Sequence, residues 1–132
     1  MCIFFKIVNG EIPSYKVYED DDILAFLDIS QVTKGHTIVI PKKHVTNILD
    51  TDKETYLKVV DKVYDLANKI AKNLNASGVN ILHNANEVAG QSVNHLHFHI
   101  IPRYSKDDSI KISFEDSEKQ DMDQVLKQIK GE

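Results

Sequence analysis

From Tyr56 the apolar residues Tyr56, Val60, Val63, Ala67, Ile70 and Leu74 recur at spacings of three and four, one face of a 3.6-residue period. That pattern predicts a helix over about residues 52–75. Thr51 followed by Glu54 matches a capping box, in which each side chain satisfies an orphan N–H of the first turn. Asn75 to Gly78 predicts the stop, Gly78 being free to take left-handed backbone. Elsewhere the apolar runs are short. Lys16–Glu19 and Ile23–Asp28 flank three consecutive aspartates and form the predicted arms of a hairpin. His36–Pro41 is rich in β-branched residues and ends at a proline, "GVNILHNAN" follows the helix, and "NHLHFHIIP" follows a glycine-containing loop. A second amphipathic helix is expected at the end of the chain, with Met122, Val125, Leu126 and Ile129 on one side. Five strands, several joined directly by turns, and one long central helix predict an α+β fold with a five-stranded antiparallel sheet. A parallel sheet would need a helix between most strands.

Composition narrows the class. At 132 residues, 42% hydrophobic and 27% charged, the chain has the make-up of one soluble globular domain. Its core is expected at about 2–104, with a C-terminal segment at about 105–132. A net charge of −4 lacks the basic surplus of a general phosphate-backbone binder, so no nucleic-acid partner is expected. Cys2 is the only cysteine, which rules out an internal disulfide. No run reaches the length of a membrane-spanning helix, and "MCIFFKIVNGE" is too short and too soon charged for a signal peptide. The expected setting is cytoplasmic, without a membrane partner.

The chemistry concentrates in "NHLHFHIIPRY". On a strand, His95, His97 and His99 line one face, about 6.6 Å apart at successive Cα positions, while Leu96, Phe98 and Ile100 line the other. A polar face that is histidine-rich by chance is one reading. Imidazoles at alternate strand positions also suit zinc with an open coordination site. Equally, one of them can act on a substrate as nucleophile or acid–base group. Crowded imidazoles resist multiple protonation, which keeps one neutral and nucleophilic. Spacing alone does not separate metal binding from direct catalysis. The preceding loop favours phosphate chemistry without metal: Gly90 permits close backbone approach to a ligand, and Gln91 and Ser92 add neutral donors suited to a phosphate. No carboxylate occurs between Val88 and Tyr104, where a metal hydrolase would be expected to place them.

At these residues the sequence resembles the histidine triad (HIT) superfamily of nucleotide hydrolases and transferases. The alternating motif from His95 to Ile101, "AGQSV" before it, "YKVYEDDDILAFLDISQVTKGHTIVIPKKH" and "CIFFKIVNGEIPS" carry the likeness, which spans about residues 2–104. The third histidine, Ser92 and the N-terminal block resemble the Hint-like, bacterial Hit-type branch. The resemblance implies that His97 attacks the α-phosphorus of a nucleotide and becomes transiently nucleotidylated before water releases the monophosphate. It implies that His95 and His99 orient and polarise His97, with His36 beside them. Gln91, Ser92 and the Val93 backbone would bind the phosphate and leaving group, next to Gly90. Asn84 would lie near phosphate and ribose. Asp28 would bind the ribose hydroxyls with Ile29 beside it, and Ile3, Phe4, Ile7, Ile12 and Phe26 would wall a purine. Asp28 and Asn84 also suit plain turn roles, and Phe4, Ile7 and Phe26 plain core roles. His44 and His83 carry no assigned role; a lone histidine near an element's end is usually structural.

The implied activity is metal-independent hydrolysis of purine nucleoside phosphoramidates, AMP linked to an amine, by an intertwined homodimer whose two sheets join. Dinucleoside polyphosphate hydrolysis uses the same machinery. A nucleotide-binding regulatory protein with incidental hydrolysis is the reading from another class. Several bacterial relatives bind a structural zinc through Cys-x-x-Cys and two histidines. Cys2, His44 and His95 match three of those ligands, but Phe5 stands at the second cysteine. Three donors leave a closed tetrahedral site incomplete, so neither zinc nor another cofactor is expected.

Overall fold

The computed structural model describes residues 2–132. Helix α1 (Ile3–Val8) leads into strands β1 (Lys16–Glu19), β2 (Ile23–Leu27) and β3 (Thr37–Pro41). Helix α2 (Lys53–Asn73) is followed by β4 (Gly78–Leu82), a short 3-10 turn at Glu87–Ala89, β5 (Phe98–Arg103) and helix α3 (Met122–Lys130). The five strands form one antiparallel sheet, as the strand pattern predicts, and lie in the order β1-β2-β3-β5-β4. Because β5 enters between β3 and β4, the last strand of the chain lies inside the sheet.

Strand alternation divides the interior into two layers. Ile23 and Ala25 of β2, Val39 of β3, and Phe98 and Ile100 of β5 face α2, where Val59, Val63, Leu66 and Ile70 meet them. Leu24 and Phe26 of β2, with Ile38 and Ile40 of β3, face the other way onto Phe4 and Ile7 of α1. Each fully buried aliphatic side chain stabilises the fold by about 1.5–3 kcal/mol. Among the described residues no helix is long and apolar enough to cross a membrane.

Helix α2 lies where the periodicity places it, with three local differences. Val59 and Leu66 are buried in the seam, whereas Val60 is 37% exposed. The cap is Asp52 rather than the Thr51–Glu54 box: its carboxylate accepts from the N–H and the hydroxyl of Thr55, at 2.9 and 2.8 Å. The Thr51 hydroxyl instead donates to the Asp52 carbonyl. At the other end Asn75 takes the left-handed turn (φ 57°), and Gly78 already opens β4.

Helix α1 has no counterpart among the predicted elements. Its cap is the Cys2 thiol, which accepts from the Phe5 N–H at 3.3 Å. Six residues make an unstable helix alone; burial of Phe4 and Ile7 against the sheet holds this one. After β5 the Asp108 carboxylate accepts from the Arg103 side chain and the Tyr104 and Ser105 N–H groups, tying off the core. Beyond it α3 forms as expected, with its apolar side chains Met122, Leu126 and Ile129 exposed.

Candidate active site

The strand carrying the histidines starts later than the motif suggests. β5 begins at Phe98, and His95 to His97 form a lead-in tied to other segments. The Leu96 N–H donates to the Val45 carbonyl at 2.7 Å, and the His83 Nδ1–H donates to the His97 carbonyl at 3.0 Å. His83 accepts from the Ile48 N–H through Nε2 and stacks on Phe98, a structural role. Alternation nevertheless runs through the lead-in: Leu96, Phe98 and Ile100 enter the α2 layer, and the three imidazoles gather on the α1 side.

Hydrogen-bond partners assign the tautomers. His97 Nδ1 lies 2.7 Å from the His95 carbonyl, which can only accept, so Nδ1 carries the proton and Nε2 keeps its lone pair. His95 Nε2 likewise donates to the Pro41 carbonyl at 2.7 Å. The Val32 N–H points at His36 Nδ1 from 3.4 Å, which puts the His36 proton on Nε2. His36 Nε2–H then donates to His99 Nδ1 at 2.9 Å, leaving His99 Nε2–H as a donor. Asp28 Oδ2 stands 3.8 Å from His36 Nε2, while Oδ1 accepts from the Ser30 N–H in a turn. Asp28 thus makes the plain turn bond with one oxygen and faces the histidines with the other.

Burial is the main cause depressing the pKa of all four imidazoles. In His99 the neighbouring His97 and His36 add to it, bringing the value to about 4. In His36, His97 and His99 the Asp28 carboxylate pulls upward and is outweighed. The four imidazoles are therefore neutral at pH 7.

A cavity of about 520 Å³ opens over His97 and His99 between α1 and the sheet. Phe4, Ile7, Ile12 and Phe26 line its apolar side, Asp28 and Ile29 one rim, and Ser92 and Val93 the other. Phe4 meets the His97 ring edge-to-face at 5.0 Å and Phe26 at 5.6 Å, so it is core and wall at once. The structure adds wall residues that no sequence pattern singles out: Leu27 and Ile38 on the sheet, and Tyr15 beside the loop after α1. Ile38 is paired with His99 across β3 and β5 and so shares its face.

Three residues assigned to phosphate and ribose sit elsewhere. The Gln91 side chain is buried: its amide donates to the Thr46 and Val93 carbonyls, and its oxygen accepts from Asn47 Nδ2 and the Asn86 N–H. Its donors brace the loop rather than face the cavity. Asn84 Nδ2 donates to the Gly90 carbonyl at 3.3 Å, and Gly90 (φ 98°) provides the left-handed turn. None of the three lines the cavity. The buried Asn47, which bonds both Asn86 and Gln91, is the hub of this loop and has no sequence signal of its own.

Among the described residues two clusters offer three candidate metal-binding atoms each, all within 4.8 Å of one another: Cys2, His44 and His95, and Asp28, His36 and His99. In the second, the His36 and His99 ring centres are 5.1 Å apart, so the rings meet nearly end-on, the lone pair of one facing the N–H of the other. Those nitrogens are directed at each other rather than at a common ion. In the first, His44 Nδ1 and Cys2 Sγ lie 3.2 and 3.5 Å from His95 Nδ1, and the nearby Phe5 ring has no donor.

Residues 9–106 match the HIT domain family. The chain is 48% identical over 134 aligned residues to an uncharacterised HIT-like protein of Methanocaldococcus jannaschii, covering 99% of this chain and 100% of that one. It is 41% identical over 102 residues to the adenosine 5′-monophosphoramidase of Schizosaccharomyces pombe, covering 77% of this chain and 74% of that one. The crystal structure of a HIT family member from Bacillus subtilis superposes with a TM-score of 0.90 at 45% identity, over 98% of this chain and 95% of that one. The protein belongs to the HIT family.

The neutral imidazoles make stability depend on mild acid. Below about pH 6.5 an unfolded histidine takes up a proton that the buried one refuses, so the unfolded state binds more protons and folding stability falls. For His99 the loss begins near pH 6.5 and is complete near 4, where the native group titrates too. Between pH 7 and 5 it is on the order of 1–2 kcal/mol for this group alone. Urea midpoints measured across that range should fall, and less steeply in His99→Asn. Equal slopes in the two proteins would show that His99 does not carry this dependence.

Proposed function

We propose that this protein hydrolyses purine nucleoside phosphoramidates of the AMP–amine type through a nucleotidyl-histidine on His97. The observation that carries the reading is the bond from His97 Nδ1 to the His95 carbonyl. It leaves Nε2 unprotonated beneath a cavity that has an apolar wall for a base and a carboxylate at its rim. The purine packs against Phe4, Ile7 and Phe26, and Asp28 meets the ribose hydroxyls. The phosphate lies between His97 and Ser92.

His97 Nε2 attacks the α-phosphorus as the phosphorus–nitrogen bond opposite it breaks, and the departing amine takes a proton from solvent. The adenylylated ring is cationic, with Nδ1–H still donating to the His95 carbonyl, so the carbonyl dipole stabilises the charge that forms. His99 Nε2–H, backed by His36, donates to a phosphoryl oxygen. Water then attacks phosphorus, Nε2 leaves with its electron pair, and AMP and one proton are released.

The Cys2–His44–His95 group acts in this reading as a hydrogen-bonded brace without a metal, because Phe5 withholds the fourth donor that a closed site needs. Metal analysis of the purified protein is expected to show well under one zinc per chain; a stoichiometric zinc would overturn this assignment. The same reading makes the protein a homodimer. β4 pairs on one side only and exposes Ile81 and Leu82, and α2 exposes Leu57 and Tyr64. A second copy placed edge to edge continues the sheet and covers such side chains. Sedimentation equilibrium should give about twice the chain mass of 15.0 kDa; that mass itself would exclude the dimer.

His97→Ala should lower turnover of an adenosine phosphoramidate by at least about a thousandfold, with AMP affinity held within about threefold. Rapid-quench mass spectrometry of the wild type should show one adenylyl group on His97. Full activity in the variant would refute the assignment.

A further inference from the structure

A second cavity, of about 660 Å³, adjoins the first. Ile3, Ser92 and Val93 line both. Helix α1 separates them by its own periodicity, since successive helical residues point about 100° apart. Phe4 and Ile7 enter the cavity over His97, whereas Phe5 and the capping Cys2 face the other. His44 and Asn94 complete the second cavity, and no lysine, arginine or carboxylate lines it.

We propose that this second cavity is the leaving-group subsite and that Phe5 sets its preference for amines with an uncharged apolar side chain. The inference rests on the hydrolase reading above. With the nucleoside over His97, the scissile phosphate lies at the junction formed by Ile3, Ser92 and Val93. The group that departs opposite His97 Nε2 is then the part of the substrate that reaches across the junction. Phe5, Ile3 and Val93 offer it an apolar surface. A polyphosphate leaving group would bring anionic charge into a space without a lysine or arginine, which disfavours it there. Phe5 occupies the position where a second cysteine would complete a metal site, so in this chain that position serves as cavity wall.

The test uses three adenosine phosphoramidates made with ammonia, 2-phenylethylamine and 2-aminoethanesulfonate, amines of similar basicity, so that leaving ability is matched. Wild type should cleave the phenylethyl compound with kcat/KM about tenfold above the ammonia compound, and the sulfonate below both. Phe5→Ala should reduce the phenylethyl-to-ammonia ratio at least about fivefold, and Phe5→Leu should keep most of it. The ratio in wild type needs no variant, so a misfolded mutant would not obscure the result. Equal rates on all three compounds, or an unchanged ratio in Phe5→Ala, would overturn the subsite and leave the hydrolase intact. Failure to cleave any of them while AMP still binds would overturn the hydrolase reading, and the subsite with it.

Discussion

The hydrogen bond from His97 Nδ1 to the carbonyl two residues back is 2.7 Å long and buried, and the rest of the site is organised around it. A side chain bonded to its own strand's backbone is positioned by that backbone, so the lead-in to β5 must be held in place. Leu96, fully buried in the α2 layer, anchors it from below, and the Val45 carbonyl and the His83 ring hold it from either side. The long helix thus serves the site from the far face of the sheet: Val59, Val63, Leu66 and Ile70 supply the layer into which Leu96 and Phe98 pack.

Desolvation decides the charge state of the cluster. The Asp28 carboxylate raises the pKa of its neighbours, but the loss of water around rings packed against Phe4 and one another outweighs it. A neutral imidazole with a committed Nδ1–H needs no separate base, because its nucleophilic atom is already unprotonated. His95 couples this centre to the opposite side of α1. Its carbonyl accepts from His97 Nδ1–H, its Nε2–H donates to the Pro41 carbonyl, and its Nδ1 meets the thiol that caps the helix. Helix α1 walls both cavities, Ile3 and Phe5 on one and Ile3, Phe4 and Ile7 on the other.

Much of this was legible in the residues. The strands and α2 showed in their periods, the imidazole face in the alternation around His97, and the family in the blocks surrounding it. What misled was local chemistry with more than one solution. Thr51 and Asp52 can each cap a helix, and only the closer fit of the Asp52 carboxylate to Thr55 selects between them. Gln91 has the donors a phosphate would use, yet Thr46, Val93, Asn47 and Asn86 satisfy the side chain completely. Helix α1 was illegible for a different reason: "IFFKIV" is too short to show a period, and its partner is a sheet face assembled from residues far along the chain.

The sequence by itself determined which residue types alternate, and therefore that three imidazoles share a face, because side-chain direction on an extended chain follows from covalent geometry. Only the tertiary structure decided which ring nitrogens carry the proton and which keep a free lone pair. Protonation and ring orientation depend on partners distant in sequence, such as Pro41 for His95 and His36 for His99, and on water excluded by α1. It likewise decided that Asp28 would stand within 4 Å of His36 and that Phe4 and Phe5, adjacent in the chain, would face different cavities. The bond between His36 and His99 exists only once β5 has been inserted between β3 and β4.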